Sequence, residues 1–163
     1  MTTITKDIQI NAPKQKVWEI LSNLETVHDY DPFVTNSFYT SDIREGVGAS
    51  RQCDWEGGYI KERITGWNPG EGHSLDVYED SQPDSPLENQ VAHFVLAENG
   101  PGTKVTMTFE YNLKADVPVG PPQIEQMWAE ETLPGILAGL KHYVETGEPM
   151  PKVEAVNSSA HMI

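Results

Sequence analysis

The chain of 163 residues has a single cysteine, Cys53. One thiol can form no intrachain disulfide and no thiolate-based structural metal site. Basic residues are also scarce: 11 Lys plus Arg stand against 25 Asp plus Glu, a formal net charge of -14. A field of that sign repels nucleic-acid phosphates and anionic lipid headgroups, so no nucleic-acid partner is expected. No stretch approaches the ~20 apolar residues that span a bilayer. The opening "MTTITKDIQI" also lacks an apolar run of signal-peptide length. A cytoplasmic protein without membrane insertion is the expectation. Metal-ligand spacing is missing too. His28, His73, His93, His142 and His161 are scattered, with no pattern such as H-E-x-x-H. No metal and no cofactor is therefore expected.

Several weaker signals resolve the same way. "ETVHDYD" gathers Glu25, His28, Asp29 and Asp31, but its spacing matches no calcium loop and it reads as a solvated acidic loop. The glycines of "EGVG" and "NGPG" precede no helix, so they read as hairpin turns and not as phosphate cradles. No histidine pairs readably with Cys53, which argues against nucleophilic catalysis by its thiol.

What is present is aromatic and periodic. Four Trp, six Tyr and four Phe argue for a folded domain with a sizeable core. Ile4, Ile8 and Ile10 alternate with polar residues over 3–10, a strand pattern. Pro13 then suits the first turn of a helix carrying Val17, Ile20, Leu21 and Leu24 at i, i+3, i+4, i+7. "ETVHDYDPF" suits one helical turn ending before Pro32. Six strands follow near 34–43, 47–55, 59–67, 73–79, 88–97 and 103–115, separated by glycine- or proline-rich turns. The last puts Val105, Met107, Phe109, Tyr111 and Leu113 on one face and polar residues on the other, as in an antiparallel sheet covered on one side. From Ile124 to Val144 the period becomes that of a long helix over 123–146, which Pro134 and Gly135 should kink. "EDSQPDSPLEN", the longest polar insertion, has the composition of a lid.

The pattern predicts an α+β fold of one domain over 1–147. A curved seven-stranded antiparallel sheet wraps around a long C-terminal helix, with two short helices after the first strand. Residues 148–163 read as a poorly ordered polar tail.

One stretch breaks its own pattern. In "GYIKERITGW" alternation puts Ile60, Glu62 and Ile64 on one face, and Tyr59, Lys61, Arg63, Thr65 and Trp67 on the other. The Lys-Arg face is solvated, so Glu62 points inward. A carboxyl buried there without a partner would have a raised pKa. It would then suit anchoring a ligand hydroxyl or carbonyl, or acid/base work. The plainer reading is a structural hydrogen bond to Tyr111, Arg51 or ordered water.

Three segments carry a family likeness. "IQINAPKQKVWEILSNLETVHDYDPFV", "GVGASRQCDWEGGYIKERITGW" and "GPGTKVTMTFEYNLKAD" occur in an order and spacing that resemble the helix-grip superfamily over roughly 3–146. That superfamily includes START domains, birch-pollen-allergen-like proteins and polyketide cyclase/dehydrase and lipid transport proteins. The resemblance implies a deep apolar cavity between the inner sheet face and the long helix. Its walls would include Cys53, Trp55, Glu62, Phe109 and Tyr111, with Gln90 and Phe94 from the preceding strand and Met127 and Trp128 from the helix. The leading expectation is binding or transport of a small hydrophobic ligand (lipid, polyketide or aromatic metabolite) by a monomer or homodimer. Glu62 and Tyr111 would orient that ligand. A polyketide cyclase or aromatase with Glu62 as its acid/base is the alternative, and a ligand-gated interaction module the third.

Overall fold

The molecule, described by a computed structural model, is defined over residues 1–116 and 120–153. Alternation makes β1 (Thr2–Ile10), and the change of period after Pro13 makes α1 (Lys14–Ser22). The Pro13 carbonyl accepts the first amides of that helix, from Lys16 and Val17. A 3-10 turn (Leu24–Thr26) and the short α2 (Val27–Tyr30) follow. The remaining strands are β2 (Asn36–Tyr39), β3 (Ser50–Trp55), β4 (Gly58–Asn68), β5 (Gly72–Asp80), β6 (Leu87–Asn99) and β7 (Gly102–Leu113). They form one antiparallel sheet in the order β1-β7-β6-β5-β4-β3-β2. Only β1 is out of sequence, closing against β7. The concave face holds the core, with Ile64, Leu75 and Leu96 from the sheet meeting Leu21, Leu137 and Leu140 from the helices.

The seven strands and the short helices after β1 match the sequence pattern, with two differences. The strand expected over 34–43 pairs only over Asn36–Tyr39. Beyond it the Thr40 amide still donates to the Ser50 carbonyl at 2.9 Å, and side chains add to the bonding: Thr40 Oγ1 meets Ser50 Oγ at 2.7 Å, and the Ser50 amide donates to Ser41 Oγ at 2.8 Å. The C-terminal helix runs as α3 (Pro121–Met127), a π turn (Trp128–Thr132) and α4 (Leu133–Thr146). Its irregularity lies one turn before Pro134, where the Leu133 amide reaches back five residues to the Trp128 carbonyl. Pro134 has no N–H to offer the carbonyl of Glu130, and the wider turn accommodates that gap.

Gly135 serves packing. A Cβ there would sit 3.0 Å from the Phe33 ring, and one at Gly139 only 1.8 Å from the Tyr30 carbonyl oxygen. These two glycines let α4 press against the chain that follows α2.

Gly147 ends α4 at φ 74, with its amide bonded to the Tyr143 carbonyl. The polar segment expected to be a loose tail from 148 onward instead turns back and pairs. The Met150 amide donates to Asp29 O at 2.8 Å and the Val153 amide to Pro32 O at 3.0 Å. Lys152 Nζ donates to the carbonyls of His28 and Asp31. This strap through Val153 belongs to the fold; the rest of the expected tail, 154–163, lies outside the described residues.

Candidate functional site

Alternation on β3 turns Arg51, Cys53 and Trp55 inward, and all three are buried. The β3–β4 register sets Arg51 directly opposite Glu62. Arg51 Nε donates to Glu62 Oε1 at 3.0 Å, with side chains only 5% and 12% exposed. Cys53 Sγ donates to the same oxygen at 3.5 Å. Glu62 does face inward, and of the two readings of it the geometry gives the structural hydrogen bond, with Arg51 as the partner. Arg51 is its counter-ion, so the premise of an unpaired buried acid does not hold.

The surroundings tune the neighbours. Burial alone would lower the Arg51 guanidinium, but the Glu62 carboxylate and its hydrogen bond outweigh that and hold it above its ordinary value. Burial pushes the Cys53 thiol well up, and Glu62 adds to the shift while Arg51 opposes it. Tyr30 is pushed up by burial to about 12. These groups keep their protons at neutral pH.

Beside the ion pair lies a cavity of about 60 Å³. Of the residues expected to line it, Cys53, Glu62, Gln90, Phe94, Phe109 and Trp128 do so. Trp55, Tyr111 and Met127 are not among its walls. Trp55 and Tyr111 are buried elsewhere in the interior, and Tyr111 packs on Phe109 with ring centroids 5.4 Å apart. Met127 is half-buried against the core. The orienting role expected of Tyr111 therefore has no geometry behind it.

The cavity is also much smaller than the deep space implied by the resemblance. Trp128 stacks on Phe109 with centroids 4.1 Å apart, and both rings line this space. What remains suits a few water molecules.

Three polar wall residues are not among the walls expected from the sequence: Tyr30, Asp31 and Arg51. Arg51 was recoverable, because it shares parity with Cys53 and Trp55 on one strand. Asp31 was read as part of a solvated acidic loop, yet it is only 4% exposed and its Oδ1 accepts the Phe33 amide at 2.8 Å. No local pattern foretells that, because the burial comes from α4 and the C-terminal strap. The "EDSQPDSPLEN" segment is pinned at its start: Gln82 Nε2 donates to Gly57 O at 2.8 Å and Ser81 Oγ accepts the Tyr59 amide at 2.8 Å.

Trp67 is a further correction. Strict alternation put it on the solvated face with Arg63, but the β4–β5 register shifts between Ile64 and Gly66. The extra residue of this bulge reverses the phase of the strand. Trp67 consequently turns, half-buried, to the side of Trp18 and His73, edge-on to Trp18 at 5.0 Å and stacked on buried His73 at 6.0 Å.

The arrangement is thus an apolar interior with one polar pole, closed by an aromatic stack on the irregular turn of the C-terminal helix. A sequence model of the family described as "Polyketide cyclase / dehydrase and lipid transport" matches residues 1–145. No curated protein is matched by the sequence. Among solved structures, the protein XoxI from Bacillus cereus superposes with a TM-score of 0.74 at 17% identity, covering 90% of this chain and 97% of that one. A START superfamily protein from Mycobacterium smegmatis gives 0.73 at 17% identity, with 88% and 97% covered. Ara h 8.0201 gives 0.70 at 14% identity, with 89% and 98% covered. Likeness at such identities speaks for the helix-grip fold alone.

Proposed function

The chain belongs to the polyketide cyclase / dehydrase and lipid transport family, and on that premise we propose that it binds a small hydrophobic molecule between the curved sheet and the C-terminal helical segment. The observation that carries this reading is the cavity with mostly apolar walls and a single polar pole, Arg51–Glu62. Apolar burial supplies most of the affinity, and the pole fixes orientation. At about 60 Å³ the closed form has no room for a lipid or polyketide. Entry therefore lifts Trp128 off Phe109. The π turn at Trp128–Thr132 supports this, since such turns interrupt the regular bonding of a helix and recur at functional sites.

The pole also states a preference. It brings Asp31 and Glu62 together with one guanidinium, Arg51. A hydroxyl or phenol head can donate to these carboxylates, whereas a carboxylate head meets like charge in a poorly screened space. The test is native mass spectrometry and thermal shift with fatty alcohols, fatty acids and polyphenols, on the full chain and on Trp128→Ala. Hydroxyl-bearing probes should be retained and raise Tm. Absence of any retained probe in both proteins would sink the reading.

A cyclase-type reaction draws support from one contact, the 3.5 Å approach of Cys53 Sγ to Glu62, which puts a second titratable group beside the carboxyl. Unchanged turnover of a poly-β-ketone by Glu62→Gln would rule it out.

A further inference from the structure

The outer face of the same sheet carries a second constellation. The β5–β6 register places Ser74 opposite His93, and the β6–β7 register places Glu110 two residues along from His93's own partner, Thr108. Ser74 Oγ lies 2.6 Å from His93 Nδ1, and His93 Nε2 lies 2.6 Å from Glu110 Oε1. An ionised carboxylate can only accept, so Nε2 carries the proton toward Glu110. In the neutral ring Nδ1 then keeps a lone pair, to which the Ser74 hydroxyl donates. This is the nucleophile, base and orienting-acid relation of serine hydrolases, with the two ring nitrogens exchanged.

Two further features bear on use. The three residues share an open groove of about 650 Å³ with Gly66, Trp67 and Val95. Gly66 faces the serine across the strands, where a Cβ would come within 3.3 Å of Ser74 Oγ. Glycine at that position leaves the hydroxyl uncovered on that side.

We infer that Ser74, His93 and Glu110 form an acyl-accepting serine site on the convex face, for small uncharged carboxylic esters. Ser74 Oγ attacks the ester carbonyl carbon and its proton passes to His93 Nδ1, while Glu110 faces the resulting imidazolium. The tetrahedral adduct collapses, the C–O bond to the alcohol breaks, and the departing alkoxide takes the proton from Nδ1. Water then attacks acyl-Ser74, giving a proton to Nδ1; the carboxylic acid leaves and the serine regains its proton. Val95, 54% exposed, offers apolar surface for the acyl group. Glu71 and Glu110 in the groove disfavour anionic esters.

The site is separate from the internal cavity, so its test is independent of ligand binding there. The full chain is treated with p-nitrophenyl acetate, following p-nitrophenolate release and locating the acetyl group by peptide mass spectrometry. The expected result is one acetyl group on Ser74, absent in Ser74→Ala. Glu110→Gln should slow acylation by on the order of a hundredfold, with its melting temperature close to that of the parent. His93→Gln should do the same, and if it unfolds then Glu110→Gln decides. Acetylation no faster than in Ser74→Ala, or an adduct mapping to lysine, would overturn the proposal.

Discussion

Glu62 and Arg63 are consecutive on β4, and each pairs with an opposite charge at the same 3.0 Å. Glu62 faces in to Arg51, with side chains 12% and 5% exposed. Arg63 faces out to Asp76, with side chains 53% and 25% exposed, a second bond of 3.2 Å, and its guanidinium 5.3 Å over the Tyr78 ring. By contact geometry the outer pair is the better made. Water nevertheless serves as a substitute partner for the outer pair and hardly at all for the inner one. Equal distances therefore conceal unequal consequences, because the cost of losing a partner is set by what replaces it.

The largest expected effect breaks the inner pair. Glu62→Ala leaves the Arg51 guanidinium buried without its counter-ion and should cost about 3–5 kcal/mol in urea unfolding. The double variant Arg51→Met, Glu62→Leu should recover most of that loss. A single-variant loss below ~1 kcal/mol would show that water reaches the pair and would erase the distinction between the faces.

Next comes pH, through His73, a buried titratable group of the same interior. Burial, helped by Arg51, lowers its pKa from 6.5 to about 4. Between those values the unfolded chain binds a proton that the folded one refuses. The neutral ring's stabilising contribution is therefore complete above 6.5 and is lost as pH falls toward about 4. Its size is on the order of 3 kcal/mol, and His73→Phe should flatten the pH dependence of Tm in that window. The same slope in His73→Phe would place the acid sensitivity elsewhere.

A smaller change sharpens the comparison by loosening the cover on the inner face. Gly139→Ala drives a methyl group against the Tyr30 carbonyl, 1.8 Å away without relaxation, and should cost about 1–3 kcal/mol. It should also reduce the Arg51–Glu62 coupling in a double-mutant cycle, because Tyr30 helps wall the space beside that pair. Coupling that stays unchanged would mean that α4 does not exclude the water.

The smallest effect is outside. Arg63→Ala should cost no more than about 1 kcal/mol and its cost should shrink further in ~1 M salt. A salt-independent loss of several kcal/mol would reverse the assignment of the two faces.

Much of the scaffold could be read locally. Period two located seven strands, period 3.6 located α1 and the C-terminal helix, and Glu62 stood out as the inward carboxyl of β4. Trp67 was misread because a bulge between Ile64 and Gly66 reverses the strand's phase without leaving a composition signal. Asp31 reads as solvated, and the segment through Val153 as a loose tail, because their partners come from the opposite end of the chain.

The sequence by itself determined the order of elements, the inward face of each strand up to its first bulge, and the acidic field, since these follow from neighbours along the chain. Only the tertiary structure decided that Arg51 meets Glu62, that Ser74, His93 and Glu110 line up across three strands, and that Trp128 fills the interior. Those outcomes depend on cross-strand register, bulges and helix packing. Such features are set by the summed fit of many distant side chains, so no single stretch records them.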